Sequence, residues 1–484
     1  MALRARLVAP PPKPRELWPY HKIKSASVPA SLLFAGDRRM EAETYLSSGF
    51  GIRAAIEAQG DGWVPFGDVA SVWMPGRLKG IQVGRDVGTP FLAATQVYDV
   101  RPVPRKWLAL ARTVDAQSRF VTPGMILVTC SGSVGRPTLA YAPHENTLIS
   151  HDLLRVEAKD KRQWGWLYAY LHAPQVRAMA TGAQYGHIIK HLETAHLEAL
   201  PIPIVPDAVA EDFTKRAGLV LQLRNQAHRR STEADGIFAE AVGDVEPSDE
   251  EEGFVVRAAA MFGGRRRLEA AYHTPYAGAI LRRFKRWERL GDVSERVWWM
   301  TRFARHYGDG GIPYLSADEL FTVNPQGTKR ILVDPADNHR DFFVEPGWIV
   351  MACSGQVYGL NGAAALMTDH HRNTFFSHDL IRIVGDKSKI RAGYLLVTLT
   401  HRTHGRPLLI RAAYGTSIPH LDPGDVADFP VVRLDDAVEN QIADLAEAAA
   451  RDRAEADAIE RGIAEAAGTL LDRFMAGKPL EPSL

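Results

Sequence analysis

The chain is nearly without cysteine: Cys130 and Cys353 are the only two in 484 residues, and each closes an apolar run. Two are too few for a disulfide framework, and both read as small buried hydrophobes in a reducing compartment. No apolar stretch approaches the roughly 18 residues that a membrane span requires. The start, with Pro10-Pro11-Pro12-Lys13-Pro14, lacks the apolar core of a secretion signal. A cytoplasmic protein is expected, with no membrane partner. There is little excess charge of either sign, the formal net being +1. That sum neither demands nor excludes a polyanionic partner, because an acidic face can cancel a basic one. Several chemical signatures are also missing: a Gly-x-x-x-x-Gly-Lys-Ser/Thr phosphate loop, a Gly-x-Gly-x-x-Gly turn after a strand, and an Asn/Asp-Pro-Pro-Tyr/Phe segment of the amino-methyltransferase kind. Nor is there a nuclease pattern of paired carboxylates and lysine. No cofactor is expected on this chain, and no chemistry.

What is present is a repetition. Pro123-Gly124-Met125-Ile126-Leu127-Val128-Thr129-Cys130-Ser131-Gly132 returns as Pro346-Gly347-Trp348-Ile349-Val350-Met351-Ala352-Cys353-Ser354-Gly355. Ser150-His151-Asp152-Leu153 returns as Ser377-His378-Asp379-Leu380, and Tyr185-Gly186 with His191-Leu192 as Tyr414-Gly415 with His420-Leu421. The offset grows through 223, 227 and 229 residues, as it does when short insertions fall in loops between fixed elements. A repeat this long can hold its own core, so the chain is a tandem pseudo-dimer.

The layout follows from that frame. A Pro-rich arm over 1–25 precedes a first globular unit over 26–205, a helix over 206–243 and an acidic linker over 244–253. A second unit over 254–433, a helix over 434–476 and a tail over 477–484 repeat the order. Short apolar runs at Met125–Thr129, Leu153–Val156, Trp348–Ala352 and Leu380–Val384 predict strands, and Trp166–Leu171 and Tyr394–Leu399 lean to helix. The fold class expected is mixed α/β (α+β). In the first predicted helix a 3.5-residue seam takes in Phe213, Val220, Leu223 and Ile237, broken at Arg216 and Arg230; in the second it takes in Ile442, Leu445, Ile459, Ile463 and Leu470, broken at Asp452. Each seam is roughly 45 Å long at 1.5 Å per residue, more than a single domain needs. The helices are expected to pair antiparallel and to hold the two units a fixed distance apart.

Candidate functional residues were weighed against plainer roles. Ser150-His151-Asp152 and its copy contain the residue types of a hydrolytic triad, but alternation on a strand would point Ser and His apart, leaving the aspartate to face inward. His187, His191 and His196 tempt a zinc assignment, yet Thr416 and Asp425 stand at two of the equivalent positions, so no metal site is expected. His370, His371, His401 and His404 read as surface histidines. Basic and aromatic residues recur ahead of the Cys-Ser-Gly turn in both copies. The first copy has Arg77, Lys79, Arg85, Arg101, Arg105, Lys106 and Trp107; the second has Arg282, Arg283, Lys285, Arg286, Arg302, Arg305 and Tyr307. Recurrence favours a polyanion over a merely solvated face, since phosphate contacts need several cations on one side. In the turns themselves Ser133, Arg136, Gln356 and Tyr358 are candidate base readers, with Tyr185 and Tyr414 beside them.

Gly415-Thr416-Ser417-Ile418-Pro419-His420-Leu421, then Asp425-Val426-Ala427-Asp428-Phe429-Pro430-Val431 and a helix carrying Glu439-Asn440-Gln441, resembles the end of a target-recognition domain in specificity subunits of type I restriction-modification systems. Pro-Gly-x-Ile with Cys-Ser-Gly, and Arg-x-Glu-Ala at Arg39–Ala42 and Arg267–Ala270, are similar to earlier segments of that family. The resemblance implies two target-recognition domains, each reading half of a split, asymmetric site on double-stranded DNA for restriction-modification or phage defence. It further implies two methyltransferase partner subunits and a restriction or translocase subunit. S-adenosylmethionine, ATP and Mg would then sit on the partners, and this chain would be non-catalytic. The alternative is a DNA-acting nuclease or methyltransferase with its own active site on the duplicated scaffold.

Overall fold

The computed structural model describes residues 27–31, 42–183, 191–245, 253–262, 266–325, 329–333 and 340–481. The arm, most of the linker, Arg39, Tyr185 and His187 lie outside the described residues. Two α/β heads share one topology. The first has an antiparallel sheet in the order Ala70–Trp73, Leu153–Ala158, Ile126–Thr129, Pro137–Leu139. The second repeats it with Ser294–Trp298, Leu380–Gly385, Ile349–Ala352 and Ala364–Leu366. Ile126–Thr129 and Ile349–Ala352 are buried at every residue, which is why both read as unbroken apolar runs rather than alternating ones. A second small sheet in each head is closed by a parallel pair, Phe91 opposite Leu148 and Tyr314 opposite Phe375. The helices Trp164–His172 and Ala392–Thr400 stand where the bulky apolar runs predicted them.

Two long helices, Asp207–Val242 and Asp436–Met475, pair along their length and run antiparallel. Arg224 bonds Glu460 at 2.5 Å, Arg230 bonds Asp452, and Arg453 bonds Ser231 at 2.5 Å. Ala227 and Ala456, equivalent in the two copies and both buried, mark the middle of this pairing. The first helix roots in the first head, and its far end, with Ala234, Phe238 and Val242, completes the core of the second. Ile463, Leu470 and Phe474 of the second helix do the same for the first head. These helices are therefore not spacers between finished domains, because each head lacks part of its core without the other copy's helix.

The buried stripe departs from the 3.5-residue seam. Along the first helix Phe213, Ala217, Val220, Arg224, Ala227, Ser231, Ala234, Phe238 and Val242 are buried, with a mean step of about 3.6 residues, close to that of a straight helix. Phe213, Val220 and Leu223 lie in the stripe, whereas Ile237 is half-buried beside the buried Phe238. Ile442, Ile463 and Leu470 are buried on the second helix, and Leu445 and Ile459 only half-buried. The two breaks in the heptad pattern were the residues one step off this straighter stripe.

The heads also touch. Val100 N donates to Phe321 O at 2.9 Å and Val323 N to Tyr98 O at 2.7 Å, with Asp99 opposite Thr322. Residues 98–100 and 321–323 are separated by the same 223 positions as the Pro-Gly turns, so equivalent segments pair with one another. The Asp99–Thr322 bridge thus lies on the pseudo-twofold axis, and separation of the heads is set by this bridge as well as by the helices.

Candidate nucleic-acid interface

All three repeated motifs converge on the Cys-Ser-Gly corner of each head. Cys130 N donates to Asp152 O at 3.2 Å, and Cys130 O accepts from Leu192 N at 2.9 Å. In the second head Cys353 N donates to Asp379 O at 3.2 Å, and Cys353 O accepts from Leu421 N at 2.8 Å. Side chains reinforce the knot: Ser131 Oγ lies 3.1 Å from His191 Nδ1, and Ser354 Oγ 2.8 Å from His420 Nδ1. Gly132 and Gly355 turn the chain at φ +70° and +125°, a region that strains any residue with a Cβ. Motifs far apart in sequence were repeated together because they form a single structural unit.

Serine, histidine and aspartate meet here, in an order other than that of a hydrolytic triad. Asp152 Oδ1 is 3.5 Å from the Ser131 hydroxyl, and Asp152 Oδ2 accepts from Ser150 Oγ at 2.9 Å. The Asp152 carboxylate thus bonds serine hydroxyls, whereas the aspartate of a hydrolytic triad bonds the catalytic histidine. Ser150 and His151 sit in a turn ahead of the strand Leu153–Ala158, not on it, so strand alternation is not what keeps them apart. Both aspartates are hydrogen-bonded but partly exposed rather than inward-facing. Burial raises the Cys130 thiol and pushes that of Cys353 up to about 11, so neither is an activated nucleophile. Among the described residues no group of three or more His, Cys, Asp and Glu could hold a metal ion.

Beneath each corner lies an arginine that the motif reading missed. Arg155 and Arg382 are 0% exposed. Arg155 donates to the carbonyls of Ser150 (2.9 Å), Leu153 (2.5 Å) and Ile149 (3.1 Å). Arg382 repeats this with Ser377 (3.1 Å), Leu380 (2.6 Å) and Phe376 (3.3 Å). Each guanidinium joins a strand of the large sheet to the end of a strand of the small one. Burial holds both at about 10, still cationic at neutral pH. The available signal was their separation of 227 residues, the same as that of the two Ser-His-Asp turns.

The proposed readers fall into four places. Arg302 and Arg305 lie by the second corner, where Arg305 reaches Asp379 at 3.4 Å and His378 at 3.3 Å, with Tyr307 exposed nearby along the strand. Gln356 donates to Ser417 O at 3.1 Å, holding its turn against the loop that carries Tyr414, which is also exposed. Arg77, Lys79, Lys106 and Ser133 are exposed on the first head. Arg85 lies over Trp107, while Arg105 crosses to the second head and lies 5.8 Å over the Tyr358 ring. Arg282, Arg283, Lys285 and Arg286 are not beside a corner: the first two end the helix Pro275–Arg283, the others follow it, and Arg286 donates to Leu434 O at 2.8 Å, at the root of the second long helix.

Arg136 lies between the heads rather than free in its turn. Its guanidinium stacks 4.2 Å over Tyr98 and donates across the axis to Val323 O at 2.8 Å, Asn324 O at 3.2 Å and Thr322 Oγ1 at 3.3 Å. All three bonds come from Nη2, and through them Arg136 clamps the two heads together. The histidine reading changes as well. His401 and His404, 6% and 1% exposed, are packed against Phe238 rather than on the surface. His371 is half-buried, its Nδ1 accepting from Thr368 N at 3.1 Å, and His370 is exposed.

No family model matches the chain, and no curated protein matches it in sequence. Solved structures similar to it include a Type-I restriction-modification system S subunit from M. genitalium, at 13% identity over 87% of this chain and 96% of that one, with a TM-score of 0.29. The HsdS subunit from Thermoanaerobacter tengcongensis has 13% identity over 86% and 97%, with a TM-score of 0.25. The type IIG restriction endonuclease BpuSI has 12% identity over 36% of this chain and 28% of that one, with a TM-score of 0.27.

Proposed function

We propose that the chain is a non-catalytic reader of double-stranded DNA that recognises a bipartite, asymmetric site, one half per head, and directs adenine methyltransferase subunits within a restriction-modification or related defence complex. The observation that carries this reading is the corner built twice about one pseudo-twofold axis, with the same backbone bonds and buried arginine in each and unlike residues around it. A duplex offers two backbones related by dyads, so a pseudo-dyad protein meets two half-sites in equivalent orientations. Unlike rims would then give unlike half-sequences. The methyl donor, ATP and Mg belong on partner subunits, with a nuclease or translocase joining for restriction.

The test is footprinting of the full chain on a random-sequence duplex pool, followed by a salt titration on the selected site. Two protected blocks separated by an indifferent spacer are expected, with log affinity falling linearly against log salt. One continuous block, or an affinity insensitive to salt, overturns the reading. Methylation mapping in the native genome should place modified adenines within the same two blocks.

A further inference from the structure

Between the heads, on one side of the axis, cations from both copies collect. Arg101 bonds Asp235 of the first long helix, and the Asp235 carbonyl lies 3.2 Å from His401 Nε2, which brings Arg402 to the same turn. Arg406 donates to Val357 O at 3.1 Å and Gly359 O at 2.9 Å, fixing the turn whose Tyr358 lies under Arg105 of the opposite head. A Cβ placed on Gly359 would come within 3.5 Å of the Arg105 guanidinium. Burial and the neighbouring charges of Arg85 and Arg101 lower the pKa of Arg402, and those of Arg105 and Arg402 lower that of Arg406. Among the described residues Asp235 is the one carboxylate ion-paired with any of these five arginines. Like charges assembled at this density repel one another and are stabilised by an anion. The cluster is one-sided, since Asn324 stands at the position equivalent to Arg101 and Pro174 at that of Arg402.

We propose that this seam, made by Arg85, Arg101 and Arg105 of the first head and Arg402 and Arg406 of the second, is a phosphate-binding site for the stretch of duplex between the two half-sites. The inference rests on the DNA reading above and adds to it. The unread spacer is gripped through its backbone, and on one side only, so the seam also fixes which way round the site is bound. Backbone contacts carry register and orientation without sequence information.

The experiment uses the full chain and its selected duplex, prepared with ordinary or neutral methylphosphonate linkages in the spacer. Neutral linkages should weaken binding by the wild type at least tenfold and leave Arg85→Ala/Arg105→Ala/Arg402→Ala almost unaffected. The triple variant on ordinary DNA should keep the same half-site preferences, with a salt slope smaller by up to about 2.7, near 0.9 for each phosphate that is no longer neutralised. Specific binding by the wild type that ignores the spacer charge, or a triple variant with the full salt slope, overturns the seam while leaving the reading of half-sites intact. Absence of binding to any duplex overturns both.

Discussion

The two heads form the same corner and hold their turns by different means. In the first, Arg136 reaches across the axis and ties the Ser131–Arg136 turn to the other head, and Val134 is buried beneath it. In the second, the buried Asn361 holds the equivalent turn from within, its Nδ2 donating to Gly355 O and Pro419 O, and Arg406 holds it from the side. Tyr358 is left 68% exposed. Beside the corner carboxylate each head has a histidine, His151 at 3.6 Å from Asp152 and His378 at 3.4 Å from Asp379, and the second head adds Arg305 at 3.4 Å. After duplication, the residues bonded to the backbone of the corner stayed alike and those around its rim diverged. That division is what the proposed reading of two unlike half-sites requires.

The comparison can be broken at several points. Arg155→Ala and Arg382→Ala each strand three buried carbonyls and open a cavity, so each should cost about 3 kcal/mol or more in urea unfolding. Markedly unequal losses would show that the corners are not equivalent frameworks. Equivalent histidines give a pH test: His144 Nδ1 accepts from Tyr141 N and His371 Nδ1 from Thr368 N, and burial lowers their pKa values to about 3 and about 4. Both stay neutral when folded but protonate near 6.5 when unfolded. Their contribution is therefore complete above pH 6.5 and declines as pH falls, by about 1.4 kcal/mol per pH unit for each fully buried ring. Each Gln substitution at these positions should therefore remove one such slope, leaving a pH profile shallower than that of the wild type between pH 6.5 and about 4. Calorimetry across pH 7 to 3 measures it, and a variant profile as steep as that of the wild type would refute the role of that histidine.

Gly165→Ala and Gly393→Ala sharpen the picture at the helix contacts. A Cβ there would lie 2.2 Å from Thr214 N and 2.5 Å from Ala443 O of the long helices, so a loss of about 1–3 kcal/mol is expected at both. Tolerance of either, within 0.5 kcal/mol by roughly the noise of such measurements, would mean that head is loosely seated. The smallest effect is expected from Ser131→Ala and Ser354→Ala, about 1 kcal/mol each in stability. Binding selection should then show relaxed preference at one half-site for each variant. Loss at both half-sites from either substitution would mean that the heads do not read independently.

Much of this architecture was legible because duplication acts as its own control. The strands at Ile126 and Ile349, the helices at Trp164 and Ala392 and the two long helices all follow from apolar runs that occur twice. Three things were hidden for physical reasons. Arg155 and Arg382 looked like ordinary polar positions because a buried guanidinium satisfied by carbonyls leaves no partner motif in the sequence. Arg136 looked free because its acceptors are backbone atoms nearly two hundred residues away. The heptad reading of the helices failed at Arg216 and Arg230 because a straight helix drifts off a 3.5-residue seam by about 20° per heptad.

The short bridge at Asp99 and Thr322 has a bearing on how such a molecule could evolve. Inserting four residues into both long helices would slide their far ends by about 6 Å, a displacement no pair of hydrogen bonds could span. A lineage that lengthened its struts would have to abandon the bridge and the Arg136 grip in the same step. On the proposed reading, a molecule keeping both is committed to a single gauge of site, and new specificities are open to it only through substitutions at the rims.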